Sequence, residues 1–600
     1  MNIIRPLSDW NRKRLAKRRA AKKKTYQEWI SHYDNFEAKT MPANARGLAS
    51  EGQGPRISIA LPLRTDDARV ILACVESIRH QLYSNWELCI AGHASTDALI
   101  GEQLRALAKA DARIRYITAH EAGISLMHLA IGQCTGPCIA AIGDCGSLPA
   151  HALLFIGKAL KDEPKLSFLY VDDDHIDSAG NRLSPRFKPD WNEYLLRSGN
   201  YIGHFFVFKN GLQQGLHEAQ SGPAAAEDYD LILKCTEQLD AAQIGHIPFV
   251  LYHAPSKTEA RALPGHQQAL QQHYERKGVG ATVEITDQQQ LRTRYALPAQ
   301  LPSVSIIIPS KDRPQLLRKC VSSILHKTRY PNFDIVFIDN GTTDPEAIDQ
   351  IKQLLADPRF KVIEDASPFN YSRLNNAAVR QSSGQHVCLM NNDVEIIDPN
   401  WLHEMVSVAL QPGVGAVGAR LLYPDTSLQH VGVIVGLGGV AGHAFKGMPA
   451  DDPCYMDRAV VVQEYSAVTA ACLLTPRAVY DRVGGLNEEH LTIAFNDIDY
   501  CLKVRESGDK VIYTPYAEFF HHESASRGKE DTREKKLRFA GECQYMKTRW
   551  GHWFARDPAY NPNLTINFED FSLATPPKAT PRHFLQSPFS AHVQPRTQGS

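Results

Sequence analysis

The chain of 600 residues contains one long-range repeat, which restricts its fold more than any other feature. The segment Ile57–Pro62 (ISIALP) matches Val304–Pro309 (VSIIIP). Further matches follow in the same order and at similar spacing: Val75–Ile78 with Val321–Ile324, Asn85–Ile90 with Asn332–Phe337, and Ala94–Asp97 with Gly341–Asp344. A period of roughly 250 residues is far longer than a solenoid repeat. We therefore predict two copies of one domain.

Each copy begins with a short apolar run ending in Pro, followed by a segment of helical period and a second apolar run. This order is typical of an α/β domain with a mostly parallel central sheet. We expect a basic arm and lead-in helix over 1–50, the first copy over 51–297 and the second over 298–574. Residues 575–600, rich in Pro, Ser, Gln and Thr, are predicted to be a disordered tail.

Charge and hydropathy exclude several classes of protein. Lys plus Arg and Asp plus Glu both number 66, whereas a nucleic-acid-binding protein normally has a basic excess. Only Arg12–Lys24 departs from this balance, with nine basic residues and no acidic one. A solvated arm is the ordinary interpretation, and contact with anionic lipid is the functional one. Without an apolar stretch of roughly 18 residues or a secretory signal, we expect a cytoplasmic protein, at most peripheral at the inner membrane face.

The twelve cysteines do not form a metal-binding pattern. Most stand singly inside apolar runs, which is typical of buried reduced thiols. The closest pair, Cys134 and Cys138, has no second pair or histidine cluster at zinc-site spacing. Any metal site is therefore expected to use oxygen ligands.

Isolated carboxylates follow two apolar runs of the second copy. Asp339 follows the apolar run IVFI (335–338), and Asn391-Asn392-Asp393 follows HVCLM (386–390). Ligands of parallel sheets bind beyond the carboxyl ends of the strands. A nucleotide diphosphate needs an acceptor for its base or ribose and a hard cation for its phosphates, and these positions would supply both. The alternative is that Asp and Asn are simply common in turns.

A third acidic cluster, Asp497 and Asp499, lies at the predicted start of a helix. Aspartate there is most often a cap. Two aspartates at i and i+2 point in different directions, so one can cap the helix while the other faces a cleft.

In this order and spacing, the segments VSIIIPSKDR, FIDNGTTD, LMNND, VGGLNEE, FNDIDYCLKVRESG and HHESASRG resemble bacterial family 2 glycosyltransferases. The likeness covers about residues 26–574 and is greatest to the tandem-domain rhamnosyl- or O-antigen-type transferases. It implies two tandem GT-A-like domains and a nucleotide diphosphate sugar as donor. It also implies Mg²⁺ or Mn²⁺ as cofactor.

The resemblance also implies roles for single residues. Asp497 is the expected catalytic base, which removes the proton of the acceptor hydroxyl during an inverting displacement. Asp393 is the expected metal contact, and Asn391 stands where the family has the first carboxylate of its Asp-x-Asp motif. The remaining assignments are His521 at the metal and, for substrate, Asp339, Asn376, Asp499 and Arg527.

The first copy has lost several of these residues. Gly92 replaces Asp339, Gly143 and Cys145 replace Asn391 and Asp393, and Leu129 replaces Asn376. A glycine and a thiol are poor replacements for oxygen ligands of a hard cation. Asp228 keeps the base-like position, and His253 follows a downstream strand. We therefore predict a degenerate first domain that holds the acceptor glycan or braces the second domain.

The sequence thus predicts an inverting, metal-dependent glycosyltransferase that acts on a glycan or lipid-linked glycan acceptor in bacterial surface polysaccharide synthesis. The alternative is a scaffold that binds glycan or nucleotide sugar through two degenerate GT-A domains. A nucleotidyltransferase is disfavoured, because Ser310–Arg313 lacks the glycines of a triphosphate-binding loop.

Overall fold

The computed structural model describes residues 26–36, 43–50, 54–119, 124–213, 224–255, 262–522 and 532–592. The first domain contains helices α1 (26–33), α2 (Ala43–Ser50), α3 (Ala68–Arg79), α4 (Ala94–Ala110), α5 (Leu126–Gly132), α6 (Ala152–Asp162), α7 (Glu193–Leu196), α8 (Ala224–Thr236) and α9 (Leu263–Lys277). Its strands are β1 (Ile57–Pro62), β2 (Trp86–His93), β3 (Ile114–Ala119), β4 (Cys138–Ile142), β5 (Phe168–Ile176), β6 (Arg182–Arg186), β7 (Phe205–Lys209), β8 (Ile244–Pro255), β9 (Ala281–Ile285) and β10 (Leu291–Tyr295).

The second domain contains strands β11 (Val304–Ser310), β12 (Phe333–Asp339), β13 (Phe360–Glu364), β14 (His386–Met390), β15 (Val394–Ile396), β16 (Val414–Leu422), β17 (Leu428–His430), β18 (Val433–Val435), β19 (Ala441–His443), β20 (Gln463–Glu464), β21 (Cys472–Pro476) and β22 (Lys510–His521). Its helices are α10 (Pro314–Lys327), α11 (Pro345–Leu354), α12 (Tyr371–Gln381), α13 (Trp401–Ala409), α14 (Arg477–Arg482), α15 (Asn496–Glu506), α16 (Arg533–Ala555) and α17 (Pro581–Gln586). Short 3-10 turns lie at Ala241–Gln243, Leu437–Gly439, Tyr455–Asp457 and Phe589–His592.

The two main sheets have equivalent topologies. The first runs β3-β2-β1-β4-β7-β5, and the second runs β13-β12-β11-β14-β21-β16. In both, the first four strands are parallel, the fifth is antiparallel, and the sixth pairs in parallel with a later strand, β8 or β22. The predicted pair of tandem GT-A-like α/β domains is confirmed.

Burial explains why these segments form strands and helices. All seven residues of β11 are buried, as expected for a central parallel strand covered on both faces. Helix α11 begins where the Asp344 side chain accepts hydrogen bonds from the Glu346 and Ala347 amides, with Pro345 in the first turn. The turn between β12 and α11, which contains Asp339 and Asp344, therefore lies at the carboxyl edge of the parallel strands. The candidate site described below lies at this edge.

The predicted disordered tail over 575–600 is wrong for its described part. Residues 581–586 form α17, and Phe584, Leu585 and Phe589 are buried in the core of the first domain. The Phe584 ring stacks on Phe155 with a centroid distance of 4.9 Å. A few apolar residues in a polar segment are enough to dock it, and composition averaged over the segment hides them.

Candidate active site

The ends of β14 and β22 bring three predicted metal ligands together. Strand β15 pairs antiparallel with β22, with Val394 opposite His521, so Asp393 and His521 are neighbours across the sheet. His521 Nε2 lies 3.0 Å from Asp393 Oδ1 and 3.3 Å from Asn391 Nδ2. Asp393 and His521 are both buried. The structure thus joins residues that are about 130 positions apart in the sequence.

Gln429 determines which nitrogen of His521 faces this cluster. Its side-chain Oε1 lies 2.7 Å from His521 Nδ1. Because an amide oxygen only accepts, Nδ1 carries the proton and Nε2 presents a lone pair toward Asp393. Metal-ligating histidines are commonly held in this way by an acceptor on the other ring nitrogen. Sequence reasoning missed Gln429, since a glutamine in a short strand has no signature of its own.

The donor chemistry fits a hard divalent cation. Asp393 Oδ1 is buried without a hydrogen-bond partner and faces an imidazole lone pair, which is unfavourable unless a proton or cation lies between them. Over the described ranges, no group of three or more His, Cys, Asp or Glu is placed to hold a metal. The set here has only two such residues, and the amide oxygen of Asn391 would be the third ligand, after rotation of the amide.

Asp497 lies in the first turn of α15, beside the segment that precedes β21. Its Oδ2 accepts a hydrogen bond of 3.1 Å from the Ala470 amide, and its Oδ1 accepts one of 2.9 Å from the Ile498 amide. Burial raises the pKa of Asp497, and hydrogen bonds from Ala470 and Thr469 only partly offset this. A carboxylate with a raised pKa is better suited to accept a proton in a reaction near neutral pH.

Residues 469–471 connect Asp497 to the metal-ligand cluster. The Ala470 amide binds Asp497, and the next carbonyl, of Ala471, accepts a hydrogen bond of 3.1 Å from the Asn391 amide. Thr469 donates its amide to Nε2 of buried His430 at 3.4 Å. Burial lowers the pKa of His430 far below its usual value, so the ring is neutral and accepts this bond. The predicted base and the predicted metal ligands therefore flank one short segment.

Asp339 lies at the end of β12, at the same edge of the sheet. It is half-buried, and its Oδ1 accepts a hydrogen bond of 2.8 Å from the Thr342 amide. The next residue, Asn340, is buried and donates to the carbonyls of Asp365 and Ser367. These bonds fix the turn that carries Asp339.

Two predicted substrate residues lie elsewhere. Asn376 is buried and uses its amide on Tyr480, Leu486 and Glu488, so a nucleotide contact would require these bonds to be exchanged. Asp499 accepts a hydrogen bond of 2.9 Å from Trp550 Nε1. Both residues line a cavity of about 590 Å³ next to the Gly484–Glu489 loop. In this structure they belong with that loop rather than with Asp393 and His521.

Some predictions lie outside the described residues. These are the contact of Arg527 with substrate and the membrane contact of the basic run 12–24. In the part of the chain that the structure describes, no helix combines the length and apolarity needed to cross a membrane.

The equivalent site of the first domain is filled by its own charged side chains. Arg64 donates to the Gly143 carbonyl at 2.9 Å and to Asp228 at 2.8 Å, and it also binds Glu227 at 2.6 Å. His204 Nδ1 lies 2.7 Å from the other oxygen of Asp228. Asp144, the carboxylate nearest the lost motif, accepts a hydrogen bond from Tyr252.

The pKa shifts agree with ion pairing of Asp228 with Arg64 and His204. Burial alone would raise the pKa of Asp228, but Arg64 and His204 lower it below the usual value. Burial would lower the pKa of His204, but Asp144 and Asp228 raise it to about 9. Asp228 is therefore a firmly ionised carboxylate that is already paired.

Comparison with known proteins supports the duplication. The model of the family described as "Glycosyl transferase family 2" matches residues 58–212 and again residues 305–432. An uncharacterised protein of Sinorhizobium fredii, y4gI, is 43% identical over 87% of this chain and 59% of its own length. The O-antigen biosynthesis protein RfbC of Myxococcus xanthus is 34% identical over 90% of this chain and 43% of its own length.

Among solved structures, a mannosyltransferase of Pyrobaculum calidifontis in complex with GDP-Man and Mn²⁺ is 18% identical, with a TM-score of 0.30 over 41% of this chain and 62% of the other. The chain spans only about half the length of the two curated relatives. Two regions of the chain, whose sheets share one topology, are thus similar to glycosyl transferase family 2.

Proposed function

We propose that the second domain transfers a sugar from a nucleotide diphosphate sugar to a hydroxyl of a glycan or lipid-linked glycan, with inversion at the anomeric carbon. The observation that carries this proposal is the 469–471 segment. It holds Asp497 through the Ala470 amide and receives the Asn391 amide on the Ala471 carbonyl. A base and a set of cation ligands held next to one short segment have the proximity that a single displacement requires.

In this displacement, Asp497 accepts the proton of the acceptor hydroxyl while that oxygen forms a bond to the anomeric carbon. The bond from the anomeric carbon to the diphosphate breaks at the same time, and the diphosphate leaves with the electron pair. The base needs to act on the face opposite the leaving group. Half-burial of Asp497 and its raised pKa suit this role.

Asp393, His521 and the amide oxygen of Asn391 would hold Mg²⁺ or Mn²⁺. The bound cation would neutralise charge developing on the diphosphate, as a Lewis acid. Gln429 keeps Nε2 of His521 available for this purpose. Asp339, at the neighbouring strand end, is the proposed contact for the nucleoside. The choice of sugar would depend on the loops around these residues.

One of the relatives supports a proposal for the biological setting. RfbC carries the name of an O-antigen biosynthesis protein, and the repeat architecture of the present chain extends over the region they share. We infer that this chain contributes to a bacterial surface polysaccharide. The first domain, whose base-like Asp228 is paired with Arg64 and His204, is proposed not to turn over a donor.

The test is a panel of UDP-, GDP- and dTDP-sugars incubated with the full chain and Mg²⁺ or Mn²⁺, with release of the nucleoside diphosphate as the measurement. We expect turnover of at least one donor, abolished by chelator and by Asp497→Asn. The matched control is Asp481→Asn, a change of an aspartate that lines the separate cavity. Binding of a donor without turnover under every condition would instead support a scaffold.

A further inference from the structure

The first domain contains a buried cluster of ionisable side chains that its own sheet does not require. His246 Nε2 lies 2.9 Å from Asp172 and its Nδ1 lies 3.1 Å from Asp190, and all three residues are buried. Burial would lower the pKa of His246, but the two carboxylates raise it. Burying paired charges seldom adds stability compared with an apolar core of the same volume. Such a cluster is better explained by what it positions.

The cluster contacts the second domain at the end of its last long helix. Arg556 donates to Asp190 at 2.6 Å, and the Asp190 amide donates to the Pro558 carbonyl at 2.9 Å. Asn561 donates to Asp172 at 2.8 Å and to the Lys188 carbonyl at 2.8 Å. Asp172, Lys188 and Asp190 of the first domain thus bind residues 556–561, which we call the docking segment.

One carboxylate of the docking segment, that of Asp557, contacts the second domain. Asp557 is buried, and it accepts hydrogen bonds of 2.7 Å from the Val435 amide and 2.5 Å from the Ser466 hydroxyl. The residues on either side of it, Arg556 and Pro558, are the ones that Asp190 holds. The position of Asp557 is therefore fixed by the first domain, while its contacts lie in the second.

Ser466 begins the segment that serves the proposed active site. Ala467 accepts a hydrogen bond of 2.9 Å from the Val433 amide, Ala470 donates to Asp497, and Ala471 accepts from Asn391. A continuous set of contacts thus leads from Asp190 through Asp557 and Ser466 to the candidate base. The contacts of Asp557 with Val435 and Ser466 are buried, and those of Arg556 with Asp190 and of Ala470 with Asp497 are partly buried.

We propose that the first domain acts as a positioning element, in which the Asp172–His246–Asp190 cluster fixes the docking segment and thereby holds residues 466–471 in register with Asp497. Only the expected effect of this role on the reaction rate rests on the proposed transfer reaction. It explains how a domain without a working donor site remains useful to the chain. Asp190, Arg556 and Asp557 are positioning residues, because they touch neither the reacting atoms nor the predicted cation ligands.

The test uses the full chain with Arg556→Gln, which removes the charge that binds Asp190 and keeps a polar side chain. Amide hydrogen exchange is measured at Val433, Val435 and Ala470, whose hydrogen bonds depend on this register. We expect exchange there to accelerate by about tenfold or more, while exchange in β11 and β14 stays unchanged. We also expect kcat to fall by about tenfold, with KM for the donor changed less than twofold.

Three further variants make the result specific. Arg556→Lys keeps a cation beside Asp190 and is expected to restore most of the protection. Ser466→Ala breaks only the link to Asp557 and is expected to reproduce the local effect, which covers the case that Arg556→Gln does not fold. Arg318→Gln, in an exposed ion pair with Glu346, is the matched control and is expected to change nothing.

The outcomes separate this inference from the proposed function. Exchange needs no substrate, so a wild type without transfer activity would contradict the proposed function and leave the exchange test intact. Unchanged exchange at the three amides in both Arg556→Gln and Ser466→Ala would overturn the positioning role. Faster exchange with an unchanged kcat would overturn it as well, since the register would then not matter for the reaction.

Discussion

Asp497 and Asp228 occupy equivalent places in the two domains and have opposite environments. Asp497 is half-buried and has amide and hydroxyl partners, so burial raises its pKa. Asp228 is fully buried between a guanidinium and an imidazole, which lower its pKa. The first can take up a proton, and the second is already neutralised by its neighbours. Retention of an acidic residue in a motif therefore does not show retention of its chemistry.

The difference begins with two small changes around the carboxylate. Arg64 follows β1 and turns inward to Asp228, whereas Lys311 follows β11 and is exposed. Gly143 stands where the second domain has Asn391, and the Asp228 carboxylate occupies the space that a side chain at position 143 would fill. Because position 143 has no side chain, the Asp228 carboxylate can occupy that space in the first domain.

The largest expected effect comes from removing each carboxylate in turn. Asp497→Asn should lower kcat by about 10²–10⁴-fold, because the acceptor hydroxyl loses its general base. Asp228→Asn should leave kcat within about twofold, since a paired and buried carboxylate takes no part in the reaction. The measurement is steady-state release of nucleoside diphosphate by both variants. Loss of transfer in Asp228→Asn comparable to that in Asp497→Asn would show that the first domain is active.

The next effect concerns cation binding, which should belong to the second domain alone. Asp393→Ala removes the only carboxylate of the proposed ligand set and should weaken binding of Mn²⁺ by more than about 100-fold. This loss should exceed that caused by changing a residue that only supports a ligand. Titration calorimetry with Mn²⁺ and no donor gives the affinity. Asp144→Ala is the matched change in the first domain and should leave that affinity unchanged. Equal losses in the two variants would contradict the assignment.

A smaller effect is expected from Gln429, which contacts a proposed ligand without being one. Gln429→Leu removes the acceptor for Nδ1–H of His521 and should weaken Mn²⁺ binding by about 10–100-fold. Gln429→Glu keeps an acceptor there and should retain tight binding. An unchanged affinity in Gln429→Leu would mean that His521 needs no orientation or does not bind the cation.

Much of the fold was predictable because it repeats. Strand pairs such as β1 with β2 and β11 with β12 carry the same apolar pattern in the sequence, and buried parallel strands are visible as continuous apolar runs. Asp393 and His521 were predicted in one site, and they are 3.0 Å apart. Both were identified through motifs, whose residues lie at strand ends where the topology makes them meet.

The rest depended on contacts that leave no local pattern. Gln429 binds His521 across 92 positions, and Arg556 binds Asp190 across 366 positions. The docking of Phe584 depends on one aromatic pocket rather than on the composition of residues 575–600. Asn376 matches a family motif, yet its amide is used on the Gly485–Leu486 turn. Such pairings follow from packing, which a single sequence does not record.

The smallest expected effect is on the free energy of unfolding, to which the two carboxylates should contribute with opposite dependence on pH. The pKa of Asp228 is lowered on folding, so its charge stabilises the fold above its unfolded pKa of about 4, and that contribution is lost as pH falls through the lower folded value. The pKa of Asp497 is raised, so its stabilising contribution is present below about pH 4 and is lost as pH rises through the folded value.

At pH 7, Asp228→Asn should therefore destabilise the protein by about 1–3 kcal/mol, because Arg64 and His204 lose a buried charged partner. Asp497→Asn should leave stability unchanged or raise it slightly, since an ionised carboxylate is no longer held in a half-buried place. Thermal unfolding midpoints at pH 7 and pH 4 measure both. The gap between the variants should narrow at pH 4 through Asp497 alone, because its raised pKa protonates the half-buried carboxyl there, whereas the loss in Asp228→Asn should persist until the pH falls below about 4. A gap that is the same at pH 7 and pH 4 would show that Asp497 does not titrate with a raised pKa.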